Sequence, residues 1–261
     1  MQDLTVGIVQ TIQHWENKKK NLTHFSKILE DHFHPNSPDL VLLPEMFNTG
    51  FSMNAEPLAE QMDGPSIGWL IDQAAKYNTQ IGATLIIEEN GNYYNRFVIA
   101  DAKGIQSHYD KRHLFRMANE HQHFTAGEER TVHELKGWRI LMQVCYDLRF
   151  PVFSRNRFEN ERQDYDLVIY LANWPEKRSY AWSNLLQARA IENQAFCVGV
   201  NRIGSDGNDI LYSGDSAAYD AWGNLLYECP KKEKIVKILR LDHSILTEIR
   251  SKFPAYLDAD G

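Results

Sequence analysis

The sequence predicts a mixed α/β fold in which two packed sheets lie between helical layers. Three observations carry that reading. Short apolar runs of strand length alternate with stretches whose apolar residues recur at helical spacing. Turn signals at Asn90-Gly91 and at 101–104 demand antiparallel pairs, which a purely parallel sheet does not contain. No stretch rich in Pro, Gly or Ser divides the 261 residues, and no internal repeat is visible. Residues 1–261 therefore read as a single domain, with 242–261 as a C-terminal helix and tail.

Taken in order, residues 4–9 read as a strand. Residues 16–33 follow as a helix with Leu22, Phe25, Ile28, Leu29 and Phe33 on one face. Residues 39–43 are a second apolar run, short enough for a buried strand. Ile67, Leu70, Ile71, Ala74 and Ala75 recur at helix spacing and place a helix over 66–77. Strands 80–87 and 93–100 pair across Asn90-Gly91, and 105–110 follows the second turn. Residues 111–130 then break the pattern. They are polar, carry His113, His121 and His123, and include Gly127 near their end. A long loop in a compact domain is usually functional. Strands 138–144, 166–171 and 196–201 flank a helix at 180–193. Residues 210–219, 225–227 and 235–241 supply the last strands, and Asp242 caps a helix over 243–253. The sum is about a dozen strands and at least four helices.

Composition narrows the function. Lys and Arg number 28 against 35 Asp and Glu, a net charge of −7. That balance excludes a basic nucleic-acid binder as the default, because phosphate attraction needs a cationic surface. It leaves small anionic substrates open, since one or two local cations hold them. Cys145, Cys197 and Cys229 are an odd number without CxxC spacing, so neither a disulfide framework nor a cysteine-rich zinc site is expected. Residues 1–10 lack the basic segment and apolar run of a signal peptide. No stretch approaches the roughly 18 apolar residues of a membrane span. The expectation is a reducing, cytoplasmic compartment.

Three strand ends each present one group that acyl transfer needs. Cys145 follows the apolar run 138–144 and precedes Tyr146-Asp147-Leu148-Arg149-Phe150-Pro151. A thiol at a sharp turn after a buried strand is rigidly held, with following backbone N–H groups, Tyr146 first, aimed at a developing oxyanion. The plainer reading, a small hydrophobe in the core, suits Cys197 in its apolar run, whereas Cys229 has no evident partner. Glu45 follows the run 39–43 and Pro44. Low dielectric there raises a carboxylate toward the range of a general base and acid, where a loop glutamate would simply be solvated. Lys111 enters the long loop and is placed to stabilise an oxyanion. Glu120, further along that loop, is placed to orient the lysine and keep it charged.

These residues carry a resemblance. Leu42-Leu43-Pro44-Glu45-Met46-Phe47, Tyr109-Asp110-Lys111-Arg112-His113-Leu114-Phe115 and Val144-Cys145-Tyr146-Asp147-Leu148-Arg149-Phe150-Pro151 resemble the glutamate, lysine and nucleophile motifs of the carbon–nitrogen hydrolase (nitrilase) superfamily. The similarity runs from Val6 to about Leu241. It includes Gln187-Ala188-Arg189-Ala190-Ile191-Glu192-Asn193 and Gly214-Asp215-Ser216. Within the superfamily the chain is most similar to the omega-amidases, through the Cys145–Pro151 run and Leu171-Ala172-Asn173-Trp174-Pro175.

The resemblance implies a four-layer α-β-β-α sandwich dimerised through helical faces, with neither metal nor organic cofactor. It implies a Glu45–Lys111–Cys145 triad, and it implies a cysteine-dependent amidase acting with water on small amides such as 2-oxoglutaramate and 2-oxosuccinamate, without nucleic acid or membrane. Glu120 is carried over less firmly, because the spacing after the lysine varies among relatives, and Glu128 and Glu129 are the fallback positions. A substrate carboxylate needs a cation, for which Arg149 is the candidate, against the alternative of a structural salt bridge. Asn173 and Trp174 should face the same pocket, with Phe47 and Phe51 as an apolar wall. The same triad would serve an N-carbamoyl amino acid hydrolase or an aliphatic amidase. From other classes, His121-Gln122-His123 suggests a metal site, and the fold could carry a non-catalytic binding protein, although all three triad residues are present.

Overall fold

The computed structural model describes residues 2–33, 37–159 and 161–259. The first of two six-stranded sheets holds β1 (Leu4–Gln10), β2 (Leu40–Leu42), β3 (Gln80–Glu89), β4 (Asn92–Asp101), β5 (Gly104–Asp110) and the late strand β16 (Ile235–Leu241), in the order β16-β1-β2-β3-β4-β5. The second holds β6 (Val132–Leu135), β7 (Trp138–Val144), β10 (Leu167–Ala172), β11 (Phe196–Asn201), β14 (Ala217–Tyr219) and β15 (Leu225–Glu228), in the order β15-β14-β11-β10-β7-β6. Two small hairpins complete the strands: β8 (Phe158–Glu159) with β9 (Arg162–Gln163), and β12 (Ile203–Ser205) with β13 (Leu211–Ser213).

Strand alternation builds the layers. In β1, Leu4, Val6 and Ile8 face inward and join Leu40, Leu42, Phe97 and Ile99 in a core shared with Ile140, Met142, Ile169 and Val198 of the second sheet. The intervening residues Val9, Val41, Leu43, Ile81 and Ala83 face the other way. There they meet Phe25 and Leu29 of helix α1 (Lys18–His32) and Ile67, Leu70 and Ala74 of α3 (Pro65–Tyr77). On the second sheet, α6 (Ser179–Asn193) lies so close that a Cβ at Gly199 would stand 2.5 Å from Leu186. The expected layers, helix on sheet on sheet on helix, are therefore observed.

Local chemistry sets the element ends. The Asn17 side chain caps α1 by accepting from Lys20 N–H at 3.0 Å. Asn78 and Gln194, both left-handed, stop α3 and α6. Asp242 caps α7 (His243–Lys252). Asn90 and Gly91 take φ of 54° and 77°, the hairpin geometry their dipeptide predicts.

Some boundaries differ from expectation. The run 210–219 is not one strand. Gly214 and Asp215 take positive φ and divide it into β13 and β14, which belong to different sheets. Strand β6 hides at the end of the polar stretch, and the loop before it contains the single-turn helix α4 (Glu120–His123). Cys197 and Cys229 are both buried in the shared core, which accounts for the latter as packing. Burial, with Glu228 adding, pushes the Cys229 thiol up to about 12. Among the described residues, no helix is long and apolar enough to cross a membrane.

Asp166 ties three elements at the start of β10. Its carboxylate accepts from Arg139 N–H at 3.0 Å and from Arg250 of α7 at 2.6 Å. Burial raises this carboxyl, but Arg250 and Arg139 prevail and hold it below its usual value of 3.8. A depressed carboxylate stabilises the fold above its unfolded pKa and loses that contribution as pH falls through the folded one. Asp166→Asn is expected to cost about 3 kcal/mol in urea unfolding at neutral pH, a gap to wild type that narrows as pH drops below 3.8.

Candidate active site

The catalytic candidates sit where strands of both sheets end. β1, β2 and β3 run parallel, and β5, two antiparallel steps beyond β3, runs the same way. Glu45 after β2 and Lys111 after β5 thus emerge from one edge of the first sheet. In the second, β7 and β10 are parallel neighbours, so Cys145 and Asn173 emerge together opposite them.

At that edge the side chains close on one another. Lys111 Nζ donates to Glu45 Oε1 at 2.9 Å and to both Glu120 oxygens at 3.0 Å, with all three side chains fully buried. It also lies over the Phe51 ring, 5.0 Å from its centre. Burial opposes the ammonium charge, but the Glu120 and Glu45 carboxylates outweigh it and hold Lys111 above the usual lysine value. Burial raises Glu120, against the pull of Lys111. Glu45 Oε2 accepts from Asn173 N–H at 2.8 Å, and the Asn173 amide donates to the Glu45 carbonyl at 2.5 Å. Burial first, then the neighbouring Glu45, pushes the Cys145 thiol well above its ordinary value, with Lys111 pulling the other way.

Backbone geometry marks the same two corners. Cys145 and Met46 each take φ of 45°, a conformation that costs a non-glycine residue about 1–3 kcal/mol and persists only where the surroundings impose it. At Cys145 the constraint is Asp147. Its Oδ2 accepts from Val144 N–H at 3.0 Å and from the Tyr109 hydroxyl at 2.8 Å, while Oδ1 accepts from His113 N–H at 2.9 Å. One buried carboxylate thereby pins the thiol turn to the strand and loop that carry Lys111. Gly127 closes the base of that loop: a Cβ there would lie 2.2 Å from the Asp110 carbonyl oxygen. Phe115 N–H, donating at 2.6 Å, fixes Glu120 from within the loop.

A cavity of about 1160 Å³ opens onto Cys145. Tyr146, Arg149, Asn173 and Trp174 line it, as expected, and so does Phe51. Phe47 does not. The turn at Met46 sends it to the far side of the sheet, where it packs against Phe25 and Trp69 with ring centres 5.6 and 5.5 Å away. Arg149 is solvent-exposed, lies 5.1 Å from the centre of the Trp174 ring and has no carboxylate partner among the described residues. Glu128 and Glu129 are exposed and away from the cluster, so Glu120 alone takes the position beside Lys111. Among the described residues, no group of three His, Cys, Asp or Glu side chains is placed to hold a metal.

Sequence reasoning missed two parts of this site. One is Asn95 in β4, whose amide donates to Glu45 Oε1 at 2.7 Å. The other is the β12–β13 hairpin, which brings Asp206, Asn208 and Tyr212 to the cavity mouth beside Trp15. A turn signal at Asp206-Gly207-Asn208-Asp209 was available for the second.

Comparison with known proteins places this geometry among relatives. The family model for carbon-nitrogen hydrolases matches residues 5–251. Over 260 residues, 100% of this chain and 98% of the relative, the sequence is 43% identical to omega-amidase YafV of Yersinia enterocolitica. It is 34% identical over 223 residues to 2-oxoglutaramate amidase of Bacillus subtilis, covering 84% of each. A CN-hydrolase superfamily protein of Xanthomonas campestris, with an arsenic adduct in its active site, superposes with a TM-score of 0.96 at 45% identity, over 100% of this chain and 98% of that one.

The environment of Cys145 makes a titration prediction. Its thiol is held above the ordinary value of 9.0, so it stays protonated at neutral pH. The ultraviolet absorbance of a thiolate, taken as wild type minus Cys145→Ala, is expected to emerge only above pH 9.0. A thiolate plateau near neutrality would contradict this assignment.

Proposed function

Because the chain belongs to the carbon-nitrogen hydrolase family and is a hydrolase of non-peptide carbon–nitrogen bonds, we propose that it releases ammonia from the terminal amide of 2-oxo acid amides, 2-oxoglutaramate and 2-oxosuccinamate. The observation that carries the mechanism is the buried contact of Lys111 with Glu45 at 2.9 Å, beside the Cys145 thiol. The omega-amidase and 2-oxoglutaramate amidase relatives support the substrate class.

In this reading Glu45 takes the Cys145 proton as sulfur attacks the amide carbon. The carbonyl oxygen becomes an oxyanion received by the Lys111 ammonium and the Tyr146 backbone N–H. Collapse breaks the C–N bond. Glu45 passes its proton to the departing nitrogen, ammonia leaves, and a thioester remains. Water then loses a proton to Glu45 and adds to the thioester. The second tetrahedral intermediate expels sulfur, which recovers the proton, and the free acid departs.

Arg149 is the proposed clamp for the substrate carboxylate. Its guanidinium carbon lies 5.1 Å from the centre of the Trp174 ring, and among the described residues it makes no ion pair. Its donors are thus available for two parallel N–H···O bonds to a carboxylate. Three free thiols and the absence of a membrane-spanning helix among the described residues support a cytoplasmic setting. Val152 of α5 (Pro151–Ser154) and Tyr180 and Ile191 of α6 stand exposed. Tyr180 and Ile191 are about three turns apart on one helical face, which supports a homodimer through this layer.

An ammonia-release assay over 2-oxo amides, carbamoyl amino acids, simple amides and glutamine tests the substrate. Fastest turnover is expected with the 2-oxo acid amides and little with glutamine. Cys145→Ala should be inactive, and normal turnover by it would sink the scheme. Lys111→Ala should slow turnover by about a thousandfold, the cost of an oxyanion donor. Arg149→Ala is expected to raise KM for 2-oxoglutaramate by about tenfold or more, the worth of a charge-assisted hydrogen bond. An unchanged KM would put the clamp elsewhere.

A further inference from the structure

We propose that Asn95 is a positioning residue that fixes Glu45 for proton transfer and spaces it from Glu120, an inference that rests on Glu45 being the general base. Asn95 is completely buried in β4. Its amide nitrogen donates to Glu45 Oε1 at 2.7 Å and reaches Glu120 Oε1 at 3.4 Å. It therefore stands between two carboxylates that already share Lys111.

A directional chain sets the orientation of this amide. Met46 N–H donates to Thr84 Oγ1 at 2.7 Å. The Thr84 hydroxyl, its oxygen occupied by that donor, gives its own proton to Asn95 Oδ1 at 2.9 Å. With Oδ1 committed to Thr84, the NH₂ group must face the carboxylates. A flipped amide would aim an acceptor at Glu45 and a donor at a donor. The relay begins at Met46, the left-handed residue that follows Glu45, so one string of bonds holds both the backbone and the carboxylate of the base. It also leaves Glu45 a free acceptor position: Oε1 takes Lys111 and Asn95, and Oε2 takes Asn173 N–H with one lone pair to spare.

The ionisable groups facing Glu45 are Lys111 at the end of β5, Glu120 of α4 and Cys145 after β7. Tyr212 of β13 lines the same cavity as Cys145. Glu120 is a like charge to Glu45, and among these groups Lys111 is the only cation. A neutral donor shared by both carboxylates favours their charged forms, and its removal favours protonation of the base.

The test is the pH dependence of kcat/KM for ammonia release by Asn95→Leu, which keeps side-chain size and removes both amide groups. The acid limb is expected to move to higher pH by about one unit or more, and kcat at neutral pH to fall by about tenfold or more with KM nearly unchanged. Thr84→Val frees Asn95 Oδ1 and should move the limb the same way by less. Thr84→Ser keeps the hydroxyl and should restore the wild-type limb. If Asn95→Leu does not fold, the Thr84 pair decides alone, and identical limbs for Val and Ser overturn the proposal. A wild-type limb in folded Asn95→Leu overturns it as well. Glu45→Gln separates the two readings: activity in that variant removes Glu45 as base, whereas an inactive Glu45→Gln beside an unshifted Asn95→Leu rejects only the role of Asn95.

Discussion

The Lys111 ammonium is completely shielded from water, and its charge is tolerable there only because two carboxylates face it at 2.9 to 3.0 Å. Much of the site follows from that arrangement. Burial first, and then the carboxylates gathered around that lysine, make the thiol beside them resist ionisation. Attack coupled to proton transfer avoids a free thiolate in that setting. In the proposed mechanism, sulfur gives its proton to Glu45 as electrons pass to the carbonyl oxygen, so negative charge moves from one oxygen to another within reach of the same lysine. The cluster's net charge is constant through the step, which is the condition for low reorganisation in a dry site.

Holding such a cluster requires fixed partners rather than flexible ones. Each carboxylate is met by donors from rigid backbone or buried side chains: Glu45 by Asn173 N–H and Asn95, Glu120 by Phe115 N–H. Asp147 meets donors on both of its oxygens and joins the thiol turn to the lysine loop. The positive φ at Met46 and Cys145 is strain stored where the surrounding hydrogen bonds can impose it. Sandwich topology makes this economical. Parallel neighbours deliver their C-terminal ends to one edge, so four chain segments distant in sequence meet without long connections.

The sequence made legible whatever depends on chain-local pattern. Glu45, Lys111 and Cys145 each follow an apolar run that ends abruptly, and strand periodicity locates such ends well. Contacts across the sheet were less visible. Asn95 lies in Tyr93-Tyr94-Asn95-Arg96, just after a hairpin turn, where polar residues read as an exposed strand start. The carboxylates its amide meets belong to the segment after β2 and to the loop after β5, both distant in sequence. Phe47 failed for a related reason. Proximity to Glu45 suggested a shared pocket, but one left-handed residue between them reverses the side to which it points. The change of sheet in 210–219 falls at Ser213-Gly214-Asp215-Ser216, a turn signal between two apolar triplets that the reading as one strand passed over.

The cavity resolves a tension posed by composition. A chain with a net charge of −7 repels a carboxylate-bearing substrate at long range, and that field is screened beyond about 10 Å at moderate salt. Recognition of that carboxylate therefore falls to the last few ångströms, where the cavity places two guanidinium groups near aromatic rings. Arg149 lies over Trp174 and Arg178 over Phe115, both at 5.1 Å. In the role proposed for Arg149, the neighbouring ring offsets part of the desolvation of the guanidinium and leaves donors for a carboxylate, whereas one Arg178 donor already meets the Met117 sulfur at 3.8 Å. A lysine, a compact and strongly hydrated charge, would not divide those two tasks between face and edge. In the proposed clamp, that favours arginine over lysine at position 149.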